Sequence, residues 1–479
     1  MKSIFLFLLL PSWLYGQGLH NDDTKYQNLL QKRSGQAINK LPPRVDLSAY
    51  VPSVINQGEN GTCVAVSVGY YMRTLLEAQK RGLTDKKAID ALRFSPSYLY
   101  NNVKDAGDTD CTGGLDIGDA LEYIKQNGLP LLSEAPFPNC QQPTAMKVNP
   151  DSRILDYVKL FGLSDEQQAK TLATKKALSE LSPVVVGMQT TPSMNNLSLR
   201  NTLGSRTKTF LPWVHSGNAR ANFTRWQPEL STSLSIGHAM CIVGYDDTMF
   251  GKGAFKLVNS WGSTWGDKGY FWITYADFNQ YAKYGYQAYL QPAGDKSNII
   301  LSADLTISLA TFVTGTEEAV ERTKAGTELA AYSVIRPQRT GTPFIFSVAV
   351  SKQTYLYLIT ANATDSVTTR LFPEDGFSPL IGRDTRMDLP KDKLLRLEGS
   401  TGLEYWLFLF SETAINIDDY VKKINEQKGS FSSRVLAAFG SALTPYQQVN
   451  YKEKKMGFFL TNQNRGRIVP LLVGMNHIN

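Results

Sequence analysis

Apolar and polar positions alternate with two different periods along the chain, and they predict a helical part followed by a strand-rich part. From residue 41 to 132 the apolar residues recur at helical spacing, most clearly after Cys63, where the pattern continues to near Gly82. From residue 154 to 290, short apolar runs predict strands, among them SPVVVGM, HAMCIVGY, AFKLVN and GYFWIT. Both parts together are long enough to bury a sizeable core.

A break at Pro292, Gly294 and Asp295 separates a second strand-rich part. Its strands are predicted from the runs FIFSVAV, TYLYLIT, LLRLEG and EYWLFLF. We also expect a short helix near 417–427, and a C-terminal hairpin over GFFLTNQNRGRIVPLLVGM with NRG as its turn. The 479-residue length favours two or three domains.

The charge of the chain argues against nucleic acid as a partner. The chain carries 50 basic and 43 acidic side chains, a mild excess of +7. The densest basic run, KEKK at 452–455, is short and interrupted by an acid. We therefore expect no nucleic-acid groove.

The first residues, MKSIFLFLLLPSWLYGQ, predict a secretory signal over 1–16, cut near Gly16 and Gln17. Its apolar run is far shorter than the roughly 20 residues that span a membrane, and no later stretch is a candidate transmembrane segment. We expect a secreted or periplasmic protein, in a compartment that permits disulfides. A polar arm over 17–40 follows the signal.

The segment NQGENGTCVAVS places a cysteine where a loop becomes a helix. With Thr62 as the N-cap, Cys63 lies in the first turn, where unpaired amides and the positive end of the helix dipole stabilise a thiolate. A thiolate is a strong nucleophile near neutral pH. The alternative interpretation is a small buried helix residue, because a free cysteine usually belongs to the core.

A nucleophilic cysteine needs a base, and the chain has four histidines. His238 lies at the start of an apolar strand, IGHAMCIVGYDD, which would hold its ring rigidly; alternatively it is a satisfied core histidine. Asn259 ends the next strand, and its amide oxygen can accept the imidazole N–H under the cover of Trp261; alternatively it is a turn residue. Gln57 can supply an oxyanion donor beside the backbone N–H of Cys63, or it is an ordinary loop residue.

These stretches resemble the papain family of cysteine peptidases. NQGENGTCVAVS, IGHAMCIVGYDD and LVNSWGSTWGDKGYFWI are similar to its three signature segments, and LPPRVDLS, FSPSYLYNNV and CTGGLDIGDALEYIKQNGLP resemble other parts of it. The resemblance covers about 41–290. It implies an α+β fold with a papain-like domain at 41–293, made of a helical half and a β-barrel half. A separate β-sandwich-like accessory domain at 300–479 would follow.

The resemblance implies a role for each site residue. Cys63 would be the nucleophile, with His238 as base and then acid, Asn259 orienting the ring, and Gln57 completing the oxyanion hole. Gly113, Gly114, Trp261 and Gly237 would contact or leave space for the substrate. The reaction would be hydrolysis of protein or peptide substrates through a thioester, with no metal and no cofactor.

The sequence also departs from the family. Asn60 stands where the family often has a half-cystine, and Cys140 resembles a half-cystine whose partner is missing. A disulfide between Cys111 and Cys140 is therefore the expected pairing, although four cysteines allow three full pairings. Val64 replaces an aromatic residue after the nucleophile.

Two further departures concern access to the cleft. His238 follows Cys63 by 238 − 63 = 175 residues, and the surplus lies between 188 and 235, where an insertion could narrow the cleft. Only 40 − 16 = 24 residues separate the signal from the mature-like start, too few for the long propeptide of family zymogens. Activity would be controlled by the short arm, by the insertion, or not at all.

Two other interpretations stay open. The protein could be an inactive or binding-only relative, although the intact set of Gln, Cys, His and Asn argues against this. It could be an acyl transferase, although such sites commonly orient the histidine with Asp.

The C-terminal part weakly resembles a bacterial domain of unknown function. The resemblance lies in the stretches LFPEDGFSPL and RMDLPKDKLLRLEGSTGLEYWLFLFSE. We expect it to be structural or to bind an unknown partner.

Overall fold

The computed structural model divides the chain into two compact units. The first unit comprises residues up to Gln27 together with Pro42–Gln291, and the second comprises Asn28–Leu41 together with Pro292–Asn479. The residues that the structure describes are 18–33, 36–37, 40–141, 146–195, 197, 224–229, 236–291, 299–310, 315–322, 329–364, 367–390, 394–461 and 468–479. The predicted signal at 1–16 and most of the predicted insertion lie outside these residues.

The helices of the first unit are mostly short. The α-helices are Asp23–Asn28, Cys63–Ala65, Arg73–Lys80, Lys86–Asp90, Pro96–Val103, Ile117–Asn127, Gln167–Ser179 and Tyr275–Tyr281. A π-helix, Val66–Met72, joins the second and third of these, so that 63–80 is one continuous helical segment, and short 3₁₀ turns occupy Ser48–Tyr50, Pro150–Ser152, Pro192–Met194 and Met249–Gly251.

The helix after Cys63 begins where the apolar pattern predicted. Every residue from Cys63 to Met72 is buried, which explains why the run is apolar on all sides. Thr62 is the N-cap residue, as predicted, and its carbonyl accepts the backbone N–H of Val66 at 3.0 Å. Its side chain accepts no capping hydrogen bond, and its φ and ψ of −97° and 12° are not the extended values typical of that position.

A single sheet carries the second half of the first unit. Within the described residues its strands, in order across the sheet, are Asp156–Lys159, Ala282–Tyr289, Val184–Thr190, Ile236–Asp246, Ala254–Val258 and Tyr270–Thr274, with Arg44–Asp46 also pairing with Ile236–Asp246. The four apolar runs that predicted strands here are all confirmed. The strand Ile236–Asp246 is central, because Val184–Thr190 and Ala254–Val258 pair antiparallel on its two sides.

The second unit contains two sheets around one core. The first sheet has Gln36–Ala37, Thr385–Leu389, Pro343–Val350, Ile299–Ala310, Gly457–Thr461 and Asn450–Tyr451 in order, with Gly315–Glu317 and Leu395–Arg396 attached. The second has Val320–Arg322, Ala331–Val334, Val469–Ile478, Gly402–Ser411, Thr354–Asn362 and Thr368–Phe372, with Gln338–Arg339 and Leu380–Ile381 attached. Predictions of strands from the apolar runs are confirmed here too.

Two details of the second unit differ from the sequence predictions. The expected helix is present as Ile417–Glu426, but a second helix, Phe431–Phe439, was not predicted. The predicted C-terminal hairpin is wrong: Gly457–Thr461 pairs with Ile299–Ala310, whereas Val469–Ile478 pairs with Gly402–Ser411 in the other sheet. Apolar runs buried on both faces identify strands but not their partners. The predicted NRG turn lies outside the described residues.

Aromatic rings join the two sheets of the second unit. Phe346, from the first sheet, is fully buried, and its ring centroid lies 5.5 Å from that of Trp406 and 5.1 Å from that of Phe408, both from the second sheet. The tilted contact with Trp406 and the edge-to-face contact with Phe408 add to the burial of apolar area. In the part of the chain that the structure describes, no helix is long and apolar enough to cross a bilayer.

We predict that Phe346→Ala destabilises the second unit by about 3–5 kcal/mol, because the cavity lies between the two sheets and cannot collapse. Urea unfolding followed by tryptophan fluorescence, with Trp406 as reporter, measures this. Ile335→Ala, at a position that is 53% exposed in the same unit, is the control and should change little. Equal effects of both substitutions would contradict the assignment of Phe346 to the core.

Candidate active site

The sulfur of Cys63 lies at the start of a helix and beside the strand that carries His238. Cys63 is fully buried, and its Sγ accepts hydrogen bonds from the backbone N–H of Ala239 at 3.5 Å and of Gly18 at 3.3 Å. Because Ala239 directly follows His238, the helix and the central strand bring the two predicted site residues together.

A hydrogen bond of 2.8 Å joins Nε2 of His238 to Oδ1 of Asn259. The same Oδ1 accepts the backbone N–H of Ser260 at 2.8 Å, which fixes this atom of the amide as the oxygen. Nε2 must therefore be the protonated nitrogen of the ring, because an amide oxygen can only accept. Nδ1 is buried and has no hydrogen-bond partner among the described residues, so it is the basic nitrogen.

Two tryptophans cover this hydrogen bond. The ring of Trp261 lies over that of His238, with centroids 5.1 Å apart and planes inclined by 31°. Trp265 packs against the edge of Trp261 at 5.2 Å. Both indoles are buried and exclude water, which strengthens the polar contact beneath them.

Burial keeps both reactive groups neutral in this arrangement. It lowers the pKa of His238 to about 4, against the opposing hydrogen bond to Asn259. It also raises the pKa of the Cys63 thiol, against the opposing backbone amides of Ala239 and Gly18. A charged thiolate–imidazolium pair, as expected from the sequence, is therefore disfavoured as long as the site is covered.

Gln57 lies close to the nucleophile loop. Its backbone N–H donates to the carbonyl of Ser260 at 2.8 Å, its side-chain Nε2 donates to the carbonyl of Asn60 at 2.7 Å, and its Oε1 accepts the hydroxyl of Ser260. These bonds hold the amide in one orientation within the buried loop. Its role as an oxyanion donor stays a prediction.

The predicted substrate-binding glycines lie against the N-terminal arm. Gly114 has φ of +98°, and a Cβ on it would lie 2.6 Å from the carbonyl oxygen of Gly18. A Cβ on Gly237 would lie 3.0 Å from the carbonyl oxygen of Leu19. Gly113 accepts a hydrogen bond from Nε2 of His20 at 2.7 Å through its carbonyl. At Gly114 and Gly237 the absence of a side chain lets the backbone of the arm come close.

The arm itself is the part of the site that sequence reasoning missed. The backbone N–H of Leu115 donates to Gly18 at 2.9 Å, and that of His20 donates to Leu115 at 2.9 Å, so Leu19 pairs with Leu115 as a parallel bridge. The Leu19 side chain is only 8% exposed. The sequence signal for this was weak, because Leu19 is one of several apolar residues in an otherwise polar arm.

Leu19 fills a small apolar pocket next to the nucleophile. A Cβ on Gly187 would lie 2.9 Å from Cδ2 of Leu19, 2.8 Å from the ring of Tyr284 and 3.3 Å from Cδ1 of Ile117. These three side chains therefore meet above the bare backbone of Gly187.

The remaining cysteines do not take part in the site. Cys111 and Cys140 form a disulfide with a Cα–Cα distance of 5.8 Å, and Cys241 is free and buried in the central strand. The carbonyl of Cys111 accepts the backbone N–H of Gly61 at 2.7 Å, which ties the disulfide loop to the loop before Cys63. No cluster of three or more His, Cys, Asp or Glu side chains that could hold a metal ion occurs within the described ranges.

Comparison with known proteins finds similarity over this part of the chain. The profile described as "Papain family cysteine protease" matches residues 41–198 and 224–289. A cathepsin L-like proteinase of Fasciola hepatica is 27% identical over 237 residues, which are 48% of this chain and 59% of that protein. Cathepsin K of Mus musculus is 26% identical over 233 residues, again 48% of this chain and 59% of that protein.

The chain thus spans about three fifths of the length of these curated relatives. Among solved structures, xylellain, a cysteine protease from Xylella fastidiosa, is 22% identical with a TM-score of 0.40, covering 58% of this chain and 96% of that one. Digestive procathepsin L 3 of Tenebrio molitor is 20% identical with a TM-score of 0.39, covering 55% and 77%. The profile and these curated relatives are cysteine proteases, and the similarity to them lies within residues 41–289.

We predict that iodoacetamide modifies Cys63 slowly at neutral pH, and that the rate rises with pH without an acid plateau. The reason is that burial raises the thiol pKa above its ordinary value of about 8.5, so the thiolate fraction at pH 7 is small. A Cys241→Ala background restricts the label to Cys63, because the other two cysteines form the disulfide. Fast labelling that is constant from about pH 5 to 8 would contradict the covered, neutral site.

Proposed function

We propose that residues 41–289 form a papain-family cysteine peptidase that hydrolyses peptide bonds through Cys63, His238 and Asn259. The observation that carries this proposal is the hydrogen-bonded His238–Asn259 pair on a strand whose next residue, Ala239, donates its N–H to the sulfur of Cys63. A nucleophile, a base and a group that orients the base are the elements of acyl transfer by a covalent intermediate.

The orientation of His238 suggests the course of the reaction. Nδ1 takes the proton of the Cys63 thiol, and the thiolate attacks the carbonyl carbon of the scissile bond. The backbone N–H of Cys63 and the side chain of Gln57 would stabilise the oxyanion. The imidazolium then gives its proton to the leaving amine as the C–N bond breaks. Water, deprotonated by the same nitrogen, releases the acid from the thioester.

The pocket that holds Leu19 suggests a substrate preference. It is bounded by Ile117, Tyr284 and the bare backbone of Gly187, all apolar at this point. Burial of an aliphatic side chain there is favourable by about 25 cal/mol per Å² of apolar area, whereas a charged side chain would lose its hydration. We expect cleaved peptides to be enriched in Leu within the two residues before the cut.

A binding-only relative is the alternative that one observation favours, because a fully covered, neutral thiol is also what an inactive protein would show. Covalent labelling of Cys63 by an epoxysuccinyl inhibitor decides between an active peptidase and a binding-only protein.

We further propose that 1–16 directs export, to the exterior or the periplasm. The second unit would be a β-sandwich-like accessory domain with a structural or partner-binding role, because two sheets share one core.

We predict that Cys63→Ser abolishes both peptide hydrolysis and labelling by an epoxysuccinyl inhibitor, since a serine hydroxyl is a much weaker nucleophile here. Intact-mass measurement detects the adduct, and a fluorogenic peptide library detects hydrolysis. Cys241→Ala is the matched control and should keep both. Hydrolysis that survives Cys63→Ser would place the nucleophile elsewhere.

We predict that Asn259→Ala lowers kcat by roughly 10²-fold with little change in KM, because the ring loses the bond that fixes its orientation and tautomer. Steady-state kinetics on a Leu-containing peptide measure both parameters. Asn127→Ala, at an exposed helix end, is the control. A change in KM alone would mean that Asn259 serves substrate binding rather than the base.

A further inference from the structure

We infer that the second unit carries a hydrolytic site of its own, in which Thr340 is the nucleophile, His477 is the base and Glu404 positions the ring of His477. Its substrates would be carboxylic esters that reach the surface of this unit. The inference goes beyond the accessory role proposed above. It does not depend on Cys63, and every residue that it uses belongs to the second unit.

Strand pairing brings the base and its positioning residue onto one face of a sheet. His477 lies opposite Gly402 on the neighbouring antiparallel strand. Glu404 follows Gly402 by two residues, so its side chain points to the same face of the sheet. Asn362 lies directly opposite Glu404 on the next strand. The three polar side chains therefore form one cluster across three adjacent strands.

This cluster lies at the end of the hydrophobic core. Met475 and Trp406, which precede His477 and follow Glu404 by two residues, are both members of the core between the two sheets. The side chain of His477 is fully buried, and that of Glu404 is 11% exposed. Removing a carboxylate from water is costly unless hydrogen bonds stabilise it, so the partners of Glu404 define what the cluster can do.

The hydrogen bonds of the cluster determine which nitrogen of His477 is basic. The backbone N–H of Thr364 donates to Oδ1 of Asn362 at 2.7 Å, which fixes the orientation of that amide. Nδ2 of Asn362 then donates to Oε1 of Glu404 at 2.6 Å, and Nδ1 of His477 lies 3.2 Å from the same Oε1. Because a carboxylate oxygen only accepts, Nδ1 carries the proton and Nε2 is the basic nitrogen.

The basic nitrogen faces the hydroxyl of Thr340. Nε2 of His477 lies 2.9 Å from Oγ1 of Thr340, so the hydroxyl is the donor, whereas the carbonyl of Ile478 is 3.4 Å from the same Oγ1. Thr340 is exposed, and its backbone N–H donates to Ile478 at 2.9 Å, which holds the residue beside the strand end. An accessible hydroxyl, a base and a carboxylate that orients the base are the elements of a Ser-His-Asp site, here with threonine as the nucleophile.

Two guanidinium groups lie beside this hydroxyl and can stabilise an oxyanion. The backbone N–H groups of Gly341 and Thr342 already donate to carbonyls of the protein. Arg339, the residue before Thr340, donates from one Nη to the carbonyl of Asn479 at 2.7 Å, and Arg396 donates from one Nη to the carbonyl of Gly341 at 3.0 Å. Each of these bonds uses one of the five N–H groups of an exposed guanidinium. We assign the oxyanion donors to these two cations.

The reaction would proceed through an acylated threonine. Nε2 of His477 takes the hydroxyl proton as Oγ1 of Thr340 bonds to the carbonyl carbon of the ester. The C–O bond of the ester breaks, and the leaving alcohol takes the proton from Nε2. Water then attacks the acyl group and gives one proton to Nε2. The acid leaves, and Oγ1 regains its proton from the same nitrogen.

The site can be tested in the full-length Cys63→Ser chain, in which the proposed peptidase nucleophile is removed. Thr340→Val removes the hydroxyl at constant shape, and Thr340→Ser keeps it. Thr342→Val changes another threonine of the same turn and is the matched control. His477→Gln removes the base. Glu404→Gln removes the charge, and the bond from Asn362 keeps an accepting oxygen toward the ring.

Two reactions are measured for each variant. A fluorophosphonate forms an O–P bond with a nucleophilic hydroxyl as fluoride leaves, and peptide mapping locates the adduct. 4-Nitrophenyl acetate releases coloured 4-nitrophenolate on hydrolysis. We expect an adduct on Thr340 and catalytic turnover of the ester in the Cys63→Ser chain and in the control. Thr340→Val should lose both, whereas Thr340→Ser should keep both and react several-fold faster, because a primary hydroxyl is less hindered.

The two remaining variants test the base and its positioning residue. We expect His477→Gln to lower both rates by roughly 10²-fold, and Glu404→Gln by roughly tenfold, because the imidazolium that forms loses its neighbouring charge. ¹⁵N NMR of the His477 ring should show the proton on Nδ1 in the Cys63→Ser chain and in Glu404→Gln. A purely structural role of Glu404 would leave the labelling rate of a folded Glu404→Gln chain unchanged.

Other outcomes contradict specific parts of the inference. The absence of an adduct on Thr340 overturns the site and leaves the cluster as a structural network at the end of the core. Equal labelling with and without His477 overturns the role of the base. An adduct without turnover of the ester contradicts the hydrolytic step. If His477→Gln loses its circular dichroism, Glu404→Gln and the ring tautomer decide the role of the base instead.

Discussion

The hydrogen bond between His238 and Asn259 is the interaction on which the site depends. It connects the central strand Ile236–Asp246 to the residue that follows the neighbouring strand, so strand pairing sets its length of 2.8 Å. Because the N–H of Ser260 fixes the amide, only one tautomer of the imidazole is compatible with the bond. The basic nitrogen is left without a competing partner among the described residues, in a place that Trp261 keeps dry.

The same strand brings the proposed base towards the proposed nucleophile. Cys63 and His238 are 175 positions apart, yet the residue after the histidine donates its N–H to the sulfur. A helix start and a central strand are rigid elements, and a site built on them keeps its geometry. The framework does not fix whether water reaches the sulfur of Cys63. With Gly18 in place both groups are buried and neutral, whereas an open cleft would allow the ion pair that makes the thiol reactive.

The sequence predicted the parts of the protein that depend on local pattern and on residue type. Apolar runs located the strands of both units, and the cysteine at a loop-to-helix junction, with a histidine and an asparagine at strand ends, indicated the site. Pattern could not show that Gly457–Thr461 and Val469–Ile478 lie in different sheets, because each run is buried and neither specifies its partner. It could not show where the arm lies either, since Gly18 and Leu19 contact the site through backbone bonds and one buried side chain.

The central claim is that the sulfur of Cys63 and the ring of His238 share a proton once the cleft is open. The most direct measurement is an NMR titration of the ¹⁵N-labelled imidazole of His238 in a Leu19→Asp chain, in which a charge replaces the buried Leu19 side chain and loosens the arm, with and without Cys63→Ser. The account predicts an imidazolium at neutral pH when the thiol is present, and a neutral ring when serine replaces it, because the thiolate is the charge that stabilises the protonated ring. A His238 titration that is identical in both chains would contradict it.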